Sequence, residues 1–351
     1  MPQISSQANE TGPLTGIALR TITKQEAKNI KKGLIRNMNI LFAASENSWG
    51  GFFDIIRSEL PHHCFEATGK FQIDSLKGID VLIPTMSAVT EEILDSADRL
   101  KLIQQCGSGL ESVDIEAAQK RDIRVCNVPT DISGNADSVA ELGIYMMIGL
   151  SRNIPVMAKN MAKRKMGEPQ GISLQGKTAG IIGLGGIGKA LIRRLRTFDM
   201  RIMGIKQNNT ERAKKELDLE WVGTPDQIGR MLKESDYVIL CLPLTAKSKD
   251  IIDNDTISYM KKGAFIINLS RGGVINKDAL ESSLAEGRIA GAGLDVFWEE
   301  PPDPDDSIFR YNVISTPHIA GSTDVSMKGI VKVVSENIRR LEKNQTPLYF
   351  K

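Results

Sequence analysis

The stretch "TAGIIGLGGIGKALIRRL", Thr178 to Leu195, carries Gly183, Gly185 and Gly188 in GxGxxG spacing. Spacing alone is weak evidence, because a chain with 31 glycines can produce it by chance. The context is more informative. An unbroken apolar run, "TAGIIG", comes directly before, and a helical pattern, "KALIRRLRTF", directly follows. In a strand-to-helix turn of this kind, Gly183 permits the tight turn and Gly185 lets a pyrophosphate approach the backbone. Gly188 lets helix and strand pack closely, and the first-turn N–H groups, around Gly186 and Ile187, face the phosphates. The stretch reads as a dinucleotide-binding turn, with a merely tight structural turn as the alternative.

Outward from that turn, short apolar runs alternate with helical stretches in both directions. Downstream lie "RIMGIK" (201–206), "YVILCLP" (237–243), "AFIINLS" (264–270), "IAGAGLDVF" (289–297) and "NVISTP" (312–317). They are mostly continuous, as strands covered by helices on both faces should be. Upstream, "NILFAA" (39–44), "VLIPT" (81–85), "LKLIQQC" (100–106) and "RVCNV" (124–128) form a second set. Between these, "WGGFFDIIRSEL" and "TEEILDSADR" show helical spacing. Such alternation argues for βαβ units and parallel sheets. A long segment from Ser138 to Ile154 is suited to bridge the two sets, and a last amphipathic helix spans about Asp324 to Lys343. The expected fold class is α/β, with two doubly wound parallel-sheet domains.

Composition narrows the function. The chain has 351 residues, long for a single core, and 45 basic against 43 acidic residues, a net charge of +2. That balance gives no general attraction to nucleic acid. No apolar run approaches the roughly 20 residues of a membrane span. Cys64, Cys106, Cys126 and Cys241 are scattered and form no CxxC pair, so buried reduced thiols in a reducing compartment are expected. Residues 1–37 are basic and polar and read as a disordered or loosely docked extension, an organelle-targeting segment being the alternative to a cytoplasmic location.

The strand after the glycine turn ends "MGIKQNNTER". An acid at this position, about 20 residues beyond the turn, usually holds a free ribose 2′-hydroxyl. Here Lys206 stands in that place, followed by Gln207, Asn208 and Asn209, with Arg212 further on. A lysine would neutralise a 2′-phosphate, so NADP is favoured over NAD. The alternative is a solvated Lys206 and NAD bound without its usual acid.

Further polar residues follow strand-like runs. Arg271 comes after "FIINLS", Asp295 and Glu300 lie in "GLDVFWEEP", and His318 follows "NVISTP". The carboxyl ends of parallel strands form the ligand crevice of such sheets. An arginine fork there matches a carboxylate bidentately. An imidazole beside a carboxylate makes an acid/base group, because the carboxylate fixes the ring and favours its charged form. Taken singly, each is more simply a loop or surface residue.

From about residue 38 to 345 the chain resembles the D-isomer-specific 2-hydroxyacid dehydrogenases, the family of phosphoglycerate, glyoxylate/hydroxypyruvate and D-lactate dehydrogenases. The resemblance rests on "QQCGSGLESVDIEAA", "NADSVAELGIYMMI", "GKTAGIIGLGGIGKAL", "INLSRGGVINKDAL", "AGLDVFWEEP" and "TPHIAGST". It implies a Rossmann-type dinucleotide-binding domain, 136–317, inserted in a flavodoxin-like substrate domain made of 38–135 and 318–351. It also implies hydride transfer between a nicotinamide cofactor and a small 2-oxo or D-2-hydroxy acid, and a homodimer, with "VMAKNMAKRKM" (156–166) a candidate contact.

By resemblance, Arg271 would hold the substrate carboxylate and polarise the carbonyl. His318 would be the general acid/base with Glu300 as its partner. The backbone at Ser108 and Gly109 would hold the carboxylate from the other domain. Asp295 would bind the nicotinamide carboxamide, and Leu242 and Pro243 would line the adenosine side. No metal ligands are implied. Glyoxylate- or hydroxypyruvate-type reduction is favoured. Alternatives are phosphoglycerate oxidation without a regulatory domain, and a nucleotide-sensing corepressor on the same scaffold. The chain departs from the family at Lys206 and at Ser108, where valine is frequent. The Ser108 hydroxyl either faces the substrate or caps a turn. Glu300 replaces the glutamine of formate-oxidising relatives. The substrate pocket is expected near Trp49 to Phe52, Thr85 to Val89 and Trp298.

Overall fold

The computed structural model describes residues 37–351; the extension, apart from Asn37, lies outside the described residues. Two sheets organise the chain. The first contains β1 (Asn39–Phe42), β2 (Cys64–Ala67), β3 (Val81–Ile83), β4 (Leu102–Gln104) and β5 (Arg124–Cys126), in the order β2-β1-β3-β4-β5. The second contains β6 (Thr178–Ile182), β7 (Arg201–Ile205), β8 (Trp221–Gly223), β9 (Tyr237–Leu240), β10 (Ala264–Asn268), β11 (Ile289–Leu294) and β12 (Val313–Ser315). Its order is β12-β11-β10-β9-β6-β7-β8. Every ladder between these strands is parallel. The strand order reverses between β1 and β3 in one sheet and between β6 and β9 in the other, and ligands bind at such switch points.

Both faces of each sheet are covered, which is why the strands read as unbroken apolar runs. Successive residues of β9 alternate between two cores: Tyr237 and Ile239 join Met146, Leu150 and Leu191, whereas Val238 and Leu240 join Met231, Ile257 and Leu280. In the first sheet, Ile40 and Phe42 meet Phe53, Val334 and Ile338, while Leu41 packs with Leu94 and Ala118. Val334 and Ile338 belong to the helix Asp324–Glu342, so the chain returns to its first sheet after completing the second. Asn337 secures that return by donating to Gln104 Oε1 at 2.7 Å and accepting from the Leu348 amide at 2.6 Å.

Several boundaries differ from the sequence reading. The long helix runs Asn135–Arg152 and stops because Asn153 takes φ 52°; a second helix, Ile154–Ala162, follows at once. β9 ends at Leu240 and β11 at Leu294, before the apolar runs end, and the residues beyond them form loops. β2 and β8 are strands that no apolar run announces. Of the cysteines, Cys126 is buried and its thiol is pushed up to about 12 by burial, but Cys64 is exposed, which corrects the expectation of buried thiols throughout. Among the described residues no helix is long and apolar enough to cross a membrane.

Candidate active site

At the glycine turn, Gly183 takes φ 101°, and a Cβ there would stand 2.5 Å from the Cys241 carbonyl oxygen and 3.0 Å from the Leu242 nitrogen. Only a residue without a side chain lets β6 and the end of β9 approach so closely. A Cβ on Gly188 would overlap the Gly183 carbonyl oxygen, which is the helix–strand contact expected of the third glycine. Gly185 has open space where its Cβ would be, and no side chain caps the helix Gly186–Leu195 that starts beside it. Its first-turn N–H groups are thus left for an anion, with the positive end of the helix dipole behind them. The residues present fit a dinucleotide pyrophosphate.

Lys206 sits half-buried at the carboxyl end of β7, its amide bonded to the Gly223 carbonyl at 2.9 Å. Arg212 is engaged by Glu216 at 2.6 Å, whereas Lys206 forms no ion pair among the described residues and acts on Glu216 only through its charge. Leu242 and Pro243 follow β9 across the turn from Gly183.

A cleft of about 500 Å³ lies at the loops of both sheets. Ser108, Gly109, Ile187, Arg271, Asp295, Glu300 and His318 all line it, together with Trp49, Thr85 and Trp298. Gly183, Gly185, Gly186, Gly188, Lys206, Leu242 and Pro243 do not. The sequence-derived residues therefore fall into a polar cluster in the cleft and a flanking strip along the ends of β6, β7 and β9.

Within the cleft, His318 Nδ1 lies 2.8 Å from Glu300 Oε2. The other carboxylate oxygen accepts the Phe297 amide at 2.9 Å, which fixes the carboxylate plane. With Nδ1–H donating to Glu300, Nε2 is left for a reacting group. Burial pushes the Glu300 carboxyl up, but the His318 hydrogen bond and charge, the Phe297 amide and the Arg271 charge outweigh it, and the net direction is down. The Trp49 indole stands edge-on to the imidazole, centroids 6.0 Å apart.

Arg271 follows β10. Asn268 holds its carbonyl oxygen at 2.8 Å and caps the Ser270 amide and hydroxyl, and the guanidinium donates to the Ser270 carbonyl at 2.7 Å. A Cβ on Gly109 would overlap that guanidinium, so the first sheet's loop and Arg271 are in direct apposition. Glu111, on the same loop, pairs with Arg271 at 3.5 Å. The Ser108 carbonyl accepts from Asn127 at 2.7 Å.

A family model described as "D-isomer specific 2-hydroxyacid dehydrogenase, NAD binding domain" matches residues 144–320. The chain is also 33% identical over 285 residues to a glyoxylate reductase of Pyrococcus horikoshii, covering 78% of this chain and 83% of that one. This chain belongs to the D-isomer-specific 2-hydroxyacid dehydrogenase family. It is accordingly an oxidoreductase with an NAD-binding domain. A D-3-phosphoglycerate dehydrogenase of Methanocaldococcus jannaschii is 36% identical over 272 residues; the match covers 77% of this chain and spans about half, 51%, of that relative. Among solved structures, a D-lactate dehydrogenase from Aquifex aeolicus, complexed with NAD and lactic acid, superposes with a TM-score of 0.76 at 25% identity, covering 87% of this chain and 96% of that one.

Three residues of this dehydrogenase site escaped the sequence reading: Glu111, Asn268 and Thr316. Asn268 and Thr316 act on residues already singled out, and nothing in their own spacing marks them. Glu111 stands two residues beyond Gly109, where only the fold shows that the loop faces Arg271. Asp295 also has more partners than a cofactor ligand needs. Its Oδ1 accepts from the Thr316 hydroxyl at 2.6 Å and the Ile319 amide at 2.9 Å, and both oxygens face the Ala320 amide. Burial raises its pKa above the ordinary aspartate value against the pull of these hydrogen bonds.

Proposed function

We propose that the cleft reduces a small 2-oxo acid to its D-2-hydroxy acid, with glyoxylate or hydroxypyruvate as the substrate type and NADPH as the favoured donor. The observation that carries this reading is the His318–Glu300 pair at 2.8 Å in the same cleft as Arg271. Arg271, with the backbone at Ser108 and Gly109, holds the substrate carboxylate and orients the adjacent carbonyl. The nicotinamide, when bound, supplies the hydride. His318 Nε2 gives its proton to the oxygen that becomes the hydroxyl, and Glu300 stabilises the ring while it is charged. Asp295 offers Oδ2, bonded only to the Ala320 amide among the described residues, to the nicotinamide carboxamide.

In this reading Gly183, Gly185, Gly186, Ile187 and Gly188 hold the pyrophosphate, Lys206 the 2′-phosphate, and Leu242 and Pro243 the adenosine. Residues 136–317 then form the dinucleotide domain, and 38–135 with 318–351 the substrate domain. The packing of the last helix on the first sheet supports that division. A homodimer is part of the same reading, supported by Tyr145, Ile148, Met157 and Met161, large apolar side chains left exposed on two consecutive helices.

His318→Ala tests the chemistry. With glyoxylate or hydroxypyruvate, kcat is expected to fall by about 100- to 10,000-fold while NADPH still binds, measured by fluorescence titration. Unchanged turnover would reject the assignment.

A further inference from the structure

We propose that the substrate is a monoanionic, unphosphorylated 2-oxo acid, and that Glu111 rejects a second negative charge. This rests on the reduction proposed above and narrows it. Among the described residues, Arg271 is the one lysine or arginine lining the cleft, whereas Glu111, Asp295 and Glu300 put three carboxyl groups there. The substrate's own carboxylate takes up the guanidinium. With His318 directed at the reacting oxygen, a phosphate or second carboxylate further along the substrate would then find no lysine or arginine of its own among the described residues.

The three carboxyl groups are not equivalent. Asp295 is buried among donors, and Glu300 is held by His318 and the Phe297 amide. Among the described residues Glu111 has only the 3.5 Å contact with Arg271, and both side chains are about one-third exposed, 33% and 35%. A pair so long and so exposed is weak, so Glu111 keeps most of its charge for whatever enters. Its carboxylate repels an incoming anion and competes with it for the same guanidinium. One negative charge overcomes this by displacing Glu111 from Arg271. A phosphate, carrying about −1.5 to −2 charges, adds repulsion with nothing to offset it. The remaining walls are uncharged, with apolar side chains such as Phe52, Met86, Leu244, Met327 and Ile330 beside neutral polar ones such as Gln105, Ser112 and Asn135, which suits a hydrogen, methyl or hydroxymethyl group on the oxo acid.

The test compares hydroxypyruvate with 3-phosphohydroxypyruvate, which differ only by the phosphate, with glyoxylate assayed alongside. Wild-type kcat/KM is expected to favour hydroxypyruvate by about 100-fold or more, a preference that shrinks as salt screens the charges. Glu111→Gln should reduce the preference several-fold, and Glu111→Arg should reduce it further. A residue needed only for folding would lower activity on both substrates and leave their ratio alone. Equal or better use of the phosphorylated substrate by wild type overturns the inference, as does a ratio that neither variant moves. In both of those outcomes the proposed reduction stands if glyoxylate is turned over. No turnover of any of the three by wild type defeats the proposed reduction and this inference together.

Discussion

His318 adopts a left-handed backbone, φ 55°, a conformation that costs energy for any residue but glycine. Asp295 maintains it from both sides, binding the Thr316 hydroxyl before the turn and the Ile319 and Ala320 amides after it. The imidazole is therefore aimed by a buried carboxylate as well as by Glu300. The depressed Glu300 pKa has a consequence for stability. A carboxyl whose folded pKa lies below its unfolded value, about 4.3, stabilises the fold at higher pH and loses that contribution as pH falls through the folded value. Wild type should thus be more stable than Glu300→Gln at pH 7, by about 1.5–3 kcal/mol, the worth of a charged hydrogen bond. The gap should narrow as pH falls below about 4.3 and close once the folded carboxyl is protonated. Urea melts of both proteins between pH 3 and 7 check this, and a gap independent of pH would contradict it. Arg271, Glu300 and His318 were legible as residues because each follows an apolar run. Their mutual distances were not, because residues 271 and 318 reach one cleft only through the order of β10, β11 and β12.

At the scale of elements, the helix Gly186–Leu195 shows how a missing interaction becomes a site. Its N-terminus lacks a side-chain cap and is bordered by the open face of Gly185. In the proposed reading, Lys206 at the end of the neighbouring strand β7 sets the cofactor preference. Lys206→Asp is expected to shift the kcat/KM ratio of NADPH to NADH toward NADH by about tenfold or more, since about 1.4 kcal/mol suffices. Initial rates with both cofactors measure it; a strong NADH preference in wild type, unmoved by the change, would remove the phosphate argument. The strands that the sequence concealed were edge strands. β2 alternates exposed and half-buried residues, and β8 has only three residues. β2 is covered on one face only, and β8, mostly buried but just Trp221, Val222 and Gly223, is too short, so neither presents the continuous apolar run that marks β6 or β10.

Across the whole molecule, the chain passes to the second sheet through the helix Asn135–Arg152 and comes back in the helix Asp324–Glu342. The two helices touch where Ser138 meets the Thr323 hydroxyl at 2.6 Å. The far end of the last helix is anchored to the first sheet's entry, where His62 lies 2.5 Å from Glu342 and His63 accepts the Met38 amide at 3.2 Å. Solvent-facing apolar residues of the first of these helices and its successor, Tyr145 at 48% and Met161 at 68% exposure, belong to the proposed dimer contact. Light scattering should give twice the chain mass for wild type and the chain mass for Met161→Glu combined with Tyr145→Glu, because charges are poorly accommodated at the centre of an interface. A wild-type monomer would refute the contact.

Sequence alone determined the fold class, the glycine turn and the identity of the groups at strand ends, since burial on both faces and a strand-to-helix turn leave local signatures. The tertiary structure alone decided that Glu111 faces Arg271, that Asp295 grips the His318 turn, and that among the described residues Arg271 is the one lysine or arginine in the cleft. Those are contacts between loops of different strands, and their distances follow from strand order and sheet apposition, which no local pattern records.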